Sequence, residues 1–307
     1  MRTAPQPDPA PETAPLPVAR RRRRRLRLDD AVCVVTGAAS GMGLESARLL
    51  ARRGARLALV DRNADVLATL VAEFHDAGTE ASAHVVDLTD LDAVAALPDA
   101  VRAAHGRVDV LLHCAGVSML GTFEQLSIEE FRWVVDVNLW GTVALAKAFL
   151  PLLRERPAAH LANVSSLYGL AAPAGRVPYV TSKFAVRGFT DALRHELERT
   201  DVTVSAIYPG GVQTGIIHHA RVAAMVDAGV AARAADAQAA LYRTTAAQAA
   251  ERIVAGIERR RPRIFIGRDA RLSDLVTRIA PVGYWSIMRG IVAKAGDTSP
   301  AEQAAAR

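Results

Sequence analysis

The sequence predicts an α/β protein, a doubly wound parallel sheet of about seven strands with helices on both faces. Three observations predict it. Short β-branched runs alternate with helical stretches of crossover length. A glycine-rich turn follows the first run, and 50% hydrophobic with 23% charged residues is ordinary globular composition for 307 residues. Right-handed crossovers build such a sheet, and its ligands sit beyond the carboxyl ends of the strands. The chemistry is therefore sought just after each run.

The chain opens on a tail. Residues 1–18 are Pro-rich without apolar periodicity, which predicts disorder over 1–28. Eight of the 38 basic residues (Arg2, Arg20 to Arg25, Arg27) lie there against only Asp8 and Glu12, so they supply the whole net charge of +6. The remainder is neutral and offers no electrostatic footprint for nucleic acid. Leu26-Arg27-Leu28-Asp29-Asp30 interrupts any secretory signal pattern, and no apolar run approaches the roughly 18 residues that span a bilayer. Cys33 and Cys114 lack metal-ligand spacing, so no metal and no disulfide are expected, and a reducing cytoplasm is the default setting.

Strands are predicted at 32–36, 56–60, 82–86, 108–113, 159–164, 202–208 and 263–266. Helices are predicted at about 43–53, 64–77, 90–104, 127–153, 178–198 and 245–260. These make one Rossmann-type domain over 29–268, with a substrate lid at about 212–245 and a helical extension over 269–307.

After the first strand comes Thr36-Gly37-Ala38-Ala39-Ser40-Gly41-Met42-Gly43. Glycines there allow a tight turn, close approach of backbone to a pyrophosphate, and packing of the next helix, whose free N–H groups favour phosphate. Asp61 follows eighteen residues after Gly43, where a carboxylate can accept both adenosine ribose hydroxyls and repel a 2′-phosphate. Arg62 could instead pair with that phosphate. The cofactor expected is NAD, with NADP the alternative. Asp87, with Leu88 beside it, faces the adenine in this reading; the alternative for Asp87 is an acid at a helix N-terminus.

Tyr179 and Lys183 lie at i and i+4 on one helix face. A phenol with a pKa of about 10 is a poor acid or base at neutral pH, and a nearby cation lowers that value. Ser165-Ser166 ends a strand thirteen residues before Tyr179, where a hydroxyl can donate to a carbonyl oxygen or simply cap a turn.

Together these residues resemble the short-chain dehydrogenase/reductase family from about residue 30 to 268. The likeness rests on the TGAASGMG turn, Asp61, Asp87, Cys114-Ala115-Gly116, Asn138, Ser166, Tyr179, Lys183 and the segment Pro209-Gly210-Gly211-Val212-Gln213-Thr214. The resemblance implies that Tyr179 is the general acid/base and that Ser166 orients the substrate oxygen. It implies that Lys183 holds the nicotinamide ribose and depresses the tyrosine pKa. Asn138 would distort its helix and hold a water linking Lys183 to solvent, and Pro209, Gly210, Val212 and Thr214 would embrace the nicotinamide. Ser165 is read as structural. The family's two asparagines before Ala-Gly are His113 and Cys114 here; His113 is read as a buried, locally bonded residue, with a catalytic histidine the alternative.

The function expected is hydride transfer between the nicotinamide and a lipophilic secondary alcohol or ketone. Ile216, Ile217, Val222, Met225, Val226 and Tyr242 in the lid, with Met119, Leu167, Tyr168 and Val177, suggest a greasy pocket. His218 and His219 read as surface residues. In the extension, two amphipathic helices broken at Pro281 could pack on the body or lid, join subunits, or touch a membrane peripherally. The resemblance implies a homodimer or homotetramer. Other readings are a catalytically silent scaffold on the same fold, which the intact Asn138, Ser166, Tyr179 and Lys183 oppose, and membrane-surface or nucleic-acid association through the basic tail.

Asp61→Ala is expected to lower the ratio of kcat/KM with NAD to that with NADP. Steady-state assays with each cofactor check this, and an unchanged ratio would remove Asp61 from the ribose contact.

Overall fold

The computed structural model describes residues 25–288. Seven parallel strands form one sheet: β1 (Val32–Thr36), β2 (Arg56–Asp61), β3 (Ala81–Val85), β4 (Val110–His113), β5 (Ala159–Val164), β6 (Val202–Pro209) and β7 (Arg263–Ile266). The order across the sheet is β3-β2-β1-β4-β5-β6-β7. The direction of winding therefore reverses between β1 and β4, which opens a crevice at their carboxyl ends.

The strands form because both faces are covered. β1 is buried throughout, as expected of a parallel strand with helices above and below. Its alternate residues part to opposite sides: Cys33 and Val35 join a core with Ala47, Leu50 and Ile253, while Val32 and Val34 join another with Val94, Leu145 and Phe149. The first core holds α1 (Gly41–Arg52), α2 (Ala64–Asp76) and later α8 (Ala246–Glu258) against the sheet. The second holds α3 (Leu91–His105) and α5 (Gly141–Arg154). Helix starts follow local chemistry: Asn63 and Asp90 accept from Val66 N–H and Ala93 N–H, and Ser127 with Glu130 closes a capping box on α4 (Ile128–Val135).

The helix expected over 127–153 is interrupted. Between α4 and α5 the backbone takes a π turn, Asp136–Trp140, with Asn138 at its centre. Ile128–Arg154 is nonetheless a continuous helical run of 27 residues, apolar and long enough on those grounds to cross a membrane, which corrects the expectation that no such run exists. Leu145, Phe149 and Leu153 on it are fully buried in the core, and that accounts for its apolar character.

The packed chain begins earlier than the boundary drawn at residue 28. Leu26 and Leu28 are buried, and Leu26 N–H donates to the Glu258 carbonyl at 2.9 Å, because the end of α8 leaves an apolar seat there. The expectation of disorder over residues 1–24 lies outside the described residues.

Two short pairings tie the lid to the body. Val212–Gln213 pairs with Thr244–Thr245, and Met119–Leu120 with Arg221–Val222. Between them runs α7 (Ala228–Ala240), capped by Asp227. α6 (Val177–Glu196) starts beside β5, and α9 (Arg268–Ile279) stops ahead of Pro281, as the sequence implied. Residues 284–288 are helical again, and the rest of that second helix falls outside the described residues. The extension packs back on the body, with the Tyr284 hydroxyl accepting from Ala172 N–H at 3.1 Å.

Phe149→Ala is expected to destabilise the fold by about 3–5 kcal/mol, since it empties a fully enclosed site between α5 and the sheet. Urea unfolding monitored by circular dichroism checks it.

Candidate active site

The site is assembled at the carboxyl ends of β1, β2, β4, β5 and β6. β1 leads into the glycine turn. Gly37 has φ +66°, and a Cβ there would meet Ala115 N at 2.8 Å. A Cβ on Gly43 would lie 2.1 Å from the Gly37 carbonyl oxygen, so only glycine lets α1 start this close to the turn. Ser40, at the N-cap, is exposed and makes no side-chain bond to the helix among the described residues. Gly41 is covered by the Thr214 methyl, 3.2 Å from where its Cβ would be, while Met42 and Thr214 both line the cavity. An uncapped helix start with no acid in its first turn, approached by glycine backbone, fits a pyrophosphate.

Asp61 ends β2, its carboxylate accepting from Ala39 N–H (3.1 Å) and Asn63 N–H (3.2 Å). It is thereby aimed at the glycine turn. Arg62 beside it is exposed. Asp87 accepts from the Thr89 N–H and hydroxyl, which hold its carboxyl below the usual range, with Arg62 adding a smaller effect. Asp90, not Asp87, caps α3. The Leu88 side chain is buried against Gly141, so only its backbone remains for a nucleotide.

At the end of β4, His113 Nδ1 pairs with the Thr36 hydroxyl at 2.7 Å, and the same hydroxyl accepts from Ala115 N–H at 3.2 Å. Burial drives the His113 imidazole down to about 3, with Lys183 pushing the same way, so it is neutral and bonded locally. Cys114 lines the cavity as a thiol raised to about 12 by burial. Cys33 and Cys114 are both free.

Asn138 joins three segments. Its Oδ1 accepts from Val117 N–H (2.8 Å), and Nδ2 donates to the Val117 carbonyl and to Ser182 Oγ (3.0 Å each). Gly116 packs directly against it, since a Cβ there would meet both Asn138 Oδ1 and Lys183 Nζ at 3.2 Å. Asn138 Oδ1 and Lys183 Nζ thus border the same space beside Gly116, and the Asn138 carbonyl takes the Thr142 hydroxyl at 2.6 Å.

Tyr179 and Lys183 stand on α6, both buried. Lys183 Nζ donates to the Val164 carbonyl at 3.0 Å and lies 5.7 Å from the Tyr179 ring centroid. Burial pushes the Lys183 ammonium down to about 8. Burial also pushes the Tyr179 phenol up, opposed by a hydrogen bond with Ser166 and by the charge of Arg176. Two cations thus stand by the phenol, Arg176 and, over its ring, Lys183. Ser166 is extended and accepts from Tyr168 N–H, whereas Ser165 donates to the Lys183 carbonyl (2.8 Å) beneath Gly169. Gly210 and Gly211 face Asp269, which accepts from Gly211 N–H at 2.6 Å, while Val212 is buried in the core.

Met42, Cys114, Gly116, Ser166, Tyr179, Lys183 and the segment from Pro209 to Val212 with Thr214 line one cavity of about 380 Å³, whereas Gly37, Ser40, Gly41, Gly43, Asp61, Arg62, Asp87, Leu88, Ala115 and Asn138 lie outside its wall. Leu167, Tyr168, Ile216, Ile217 and Tyr242 from the apolar set line it. Met119, Val177, Val222, Met225 and Val226 do not: Met119 is buried in a separate cluster with Val134 and Ala223, and Met225 is largely exposed. His218 and His219 are exposed. Sequence reasoning missed Arg176, Ser118 and the α9 residues Leu272, Ser273 and Val276, all in the wall. Arg176 alone carried a signal, its place three residues before Tyr179.

A family profile described as short chain dehydrogenase matches residues 31–224. A Mycobacterium tuberculosis relative, SadH, is 36% identical over 265 residues, covering 86% of this chain and 95% of its own. Dehydrogenase/reductase SDR family member 7B of Xenopus tropicalis is 32% identical over 267 residues, 85% of each chain. Among solved structures, a short chain dehydrogenase/reductase from Burkholderia phymatum in complex with NAD superposes with TM-score 0.76 at 29% identity, covering 83% of this chain and 95% of that one.

Lys183 carries a stability cost with a defined pH range. Its ammonium falls from 10.5 unfolded to about 8 folded, so below pH 8 the fold bears the full penalty of burying the charge. The penalty lifts as pH rises from 8 to 10.5, because the unfolded chain then holds the extra proton. Lys183→Met is expected to raise unfolding free energy by up to about 3 kcal/mol at pH 7, less the lost bond to Val164. The gain should shrink towards zero near pH 10.5, which urea titrations at pH 7, 9 and 10.5 would read.

Proposed function

The chain belongs to the short-chain dehydrogenase/reductase family, and on that premise we propose that it transfers a hydride between NAD and a lipophilic secondary alcohol or ketone. The observation that carries the reading is the convergence of Ser166, Tyr179 and Lys183 on one cavity that the glycine turn adjoins. The uncapped start of α1 and the backbone of Gly37 to Gly43 would hold the pyrophosphate. Asp61 would take the adenosine ribose, which favours NAD; Arg62 keeps NADP as the alternative. Cys114, Ala115 and Gly116 would offer backbone beside the adenosine, Lys183 would take the nicotinamide ribose, and Pro209 to Thr214 would wall the ring. The Burkholderia relative binds NAD on the same fold. When bound, the nicotinamide supplies or accepts the hydride.

The protein's own part is to place and move a proton. Ser166 and Tyr179 hold the substrate oxygen between two hydroxyls. With its phenol raised by burial, Tyr179 is protonated at neutral pH, the form that donates to a carbonyl oxygen. Apolar walls keep water from the reacting carbon, and their makeup supports a lipophilic substrate. The same reading carries a homodimer or homotetramer and a reducing cytoplasmic setting for the two free thiols.

Tyr179→Phe is expected to lower kcat/KM roughly 10²- to 10⁴-fold, the span of general acid–base catalysis. NADH binding, followed by its fluorescence, should stay unchanged. Screening aliphatic secondary alcohols and ketones by nicotinamide absorbance provides the assay, and full activity of the variant would sink the mechanism.

A further inference from the structure

Arg176 precedes α6 as its N-cap, three residues before Tyr179, and lines the cavity. It is 7% exposed. Nη1 donates to Ser118 Oγ at 3.0 Å and Nη2 to Oε1 of Gln238 on α7. Gln238 is oriented for this by its Nε2, which donates to the Tyr168 hydroxyl at 3.1 Å. Both acceptors of the guanidinium are neutral, and among the described residues no carboxylate lies within 4.0 Å of it. Arginines elsewhere with more exposed side chains do have such partners: Arg156 pairs with Asp109 and Arg263 with Asp274.

A buried charge without a counter-charge is unfavourable, and a guanidinium has five N–H donors of which the two bonds use two. What best completes it is a carboxylate, which matches its fork with two parallel bonds. The cavity supplies the rest of the recognition. Leu241, Leu272 and Val276 give an apolar wall, and Ser166 and Tyr179 line the same cavity as Arg176.

We propose that Arg176 is the specificity-determining residue of this pocket and binds the carboxylate of a hydroxy or oxo acid whose alkyl body lies on the apolar wall. The substrate class is then amphiphilic, one charged end on a lipophilic chain. The proposal rests on the hydride-transfer reading and narrows it.

Binding of decanoate and methyl decanoate to the full chain, with and without NADH, is measured by titration calorimetry. Decanoate is expected to bind about tenfold or more tighter than the ester, the scale of a charge-assisted pair. Arg176→Gln should remove about tenfold from decanoate binding and leave the ester within about twofold. Arg176→Lys, which keeps the charge but loses the fork, should retain only part of the preference. Gln238→Ala, which breaks the contact with α7 but keeps the charge, should keep it too. Equal affinity for acid and ester, no binding of decanoate, or equal loss of both in Arg176→Gln overturns the proposal; the last outcome makes the arginine a lid latch. Turnover of 2-hydroxydecanoate, 3-hydroxydecanoate and decan-2-ol with NAD separates the two readings. Oxidation of decan-2-ol with no preference for the acids overturns this proposal alone. Selective decanoate binding with no oxidation of any alcohol supports it and overturns the choice of reaction instead.

Discussion

The carboxamide of Asn138 is the point on which the site's geometry depends. It is fully buried, so each of its donors and acceptors needs a partner inside the protein. Val117 satisfies it with both its N–H and its carbonyl, and Ser182 takes the remaining N–H. Those bonds lock the loop after β4 to the helix that carries Tyr179 and Lys183. They also bring Asn138 against Gly116, where a Cβ would crowd both Asn138 Oδ1 and Lys183 Nζ at 3.2 Å. The π turn follows from the same demand, because a regular helix from residue 128 to 154 would aim the residue at position 138 elsewhere.

Desolvation governs the charges around that lock. His113 is held neutral by burial, and the Lys183 ammonium is brought to about 8 by the same cause. Tyr179 is held protonated although two cations lie nearby. Each effect opposes the stability of a charged form, and the fold tolerates them where the chemistry needs a poised proton. The net charge of the whole chain has no part in this. The charges of consequence are two buried cations, Lys183 and Arg176, which face one cavity.

Much of the site was legible in the order of residues. The glycine turn, Asp61, the Ser166–Tyr179–Lys183 spacing and the Pro209–Thr214 segment each involve neighbours in the chain or a strand end, and strand ends can be read from short apolar runs. The structure brings them together at one end of the sheet. The choice of Ser166 over Ser165 was legible by spacing, and the structure turns the two hydroxyls to different partners. The greasy pocket was legible only in part. Composition identifies apolar residues but not which way they point, and Met119 and Val226 face a separate small core beneath the lid.

The sequence by itself determined the seven-stranded α/β architecture, the nucleotide turn and the catalytic spacing. All three are encoded by local periodicity, glycine stereochemistry and short separations. Only the tertiary structure decided that Leu26 and Leu28 belong to the core, that α9 supplies part of the cavity wall, and that Arg176 joins it. Each depends on contacts between segments far apart in the chain. Burial, which shifts His113, Tyr179 and Lys183, is a property of the packed molecule and has no local signature.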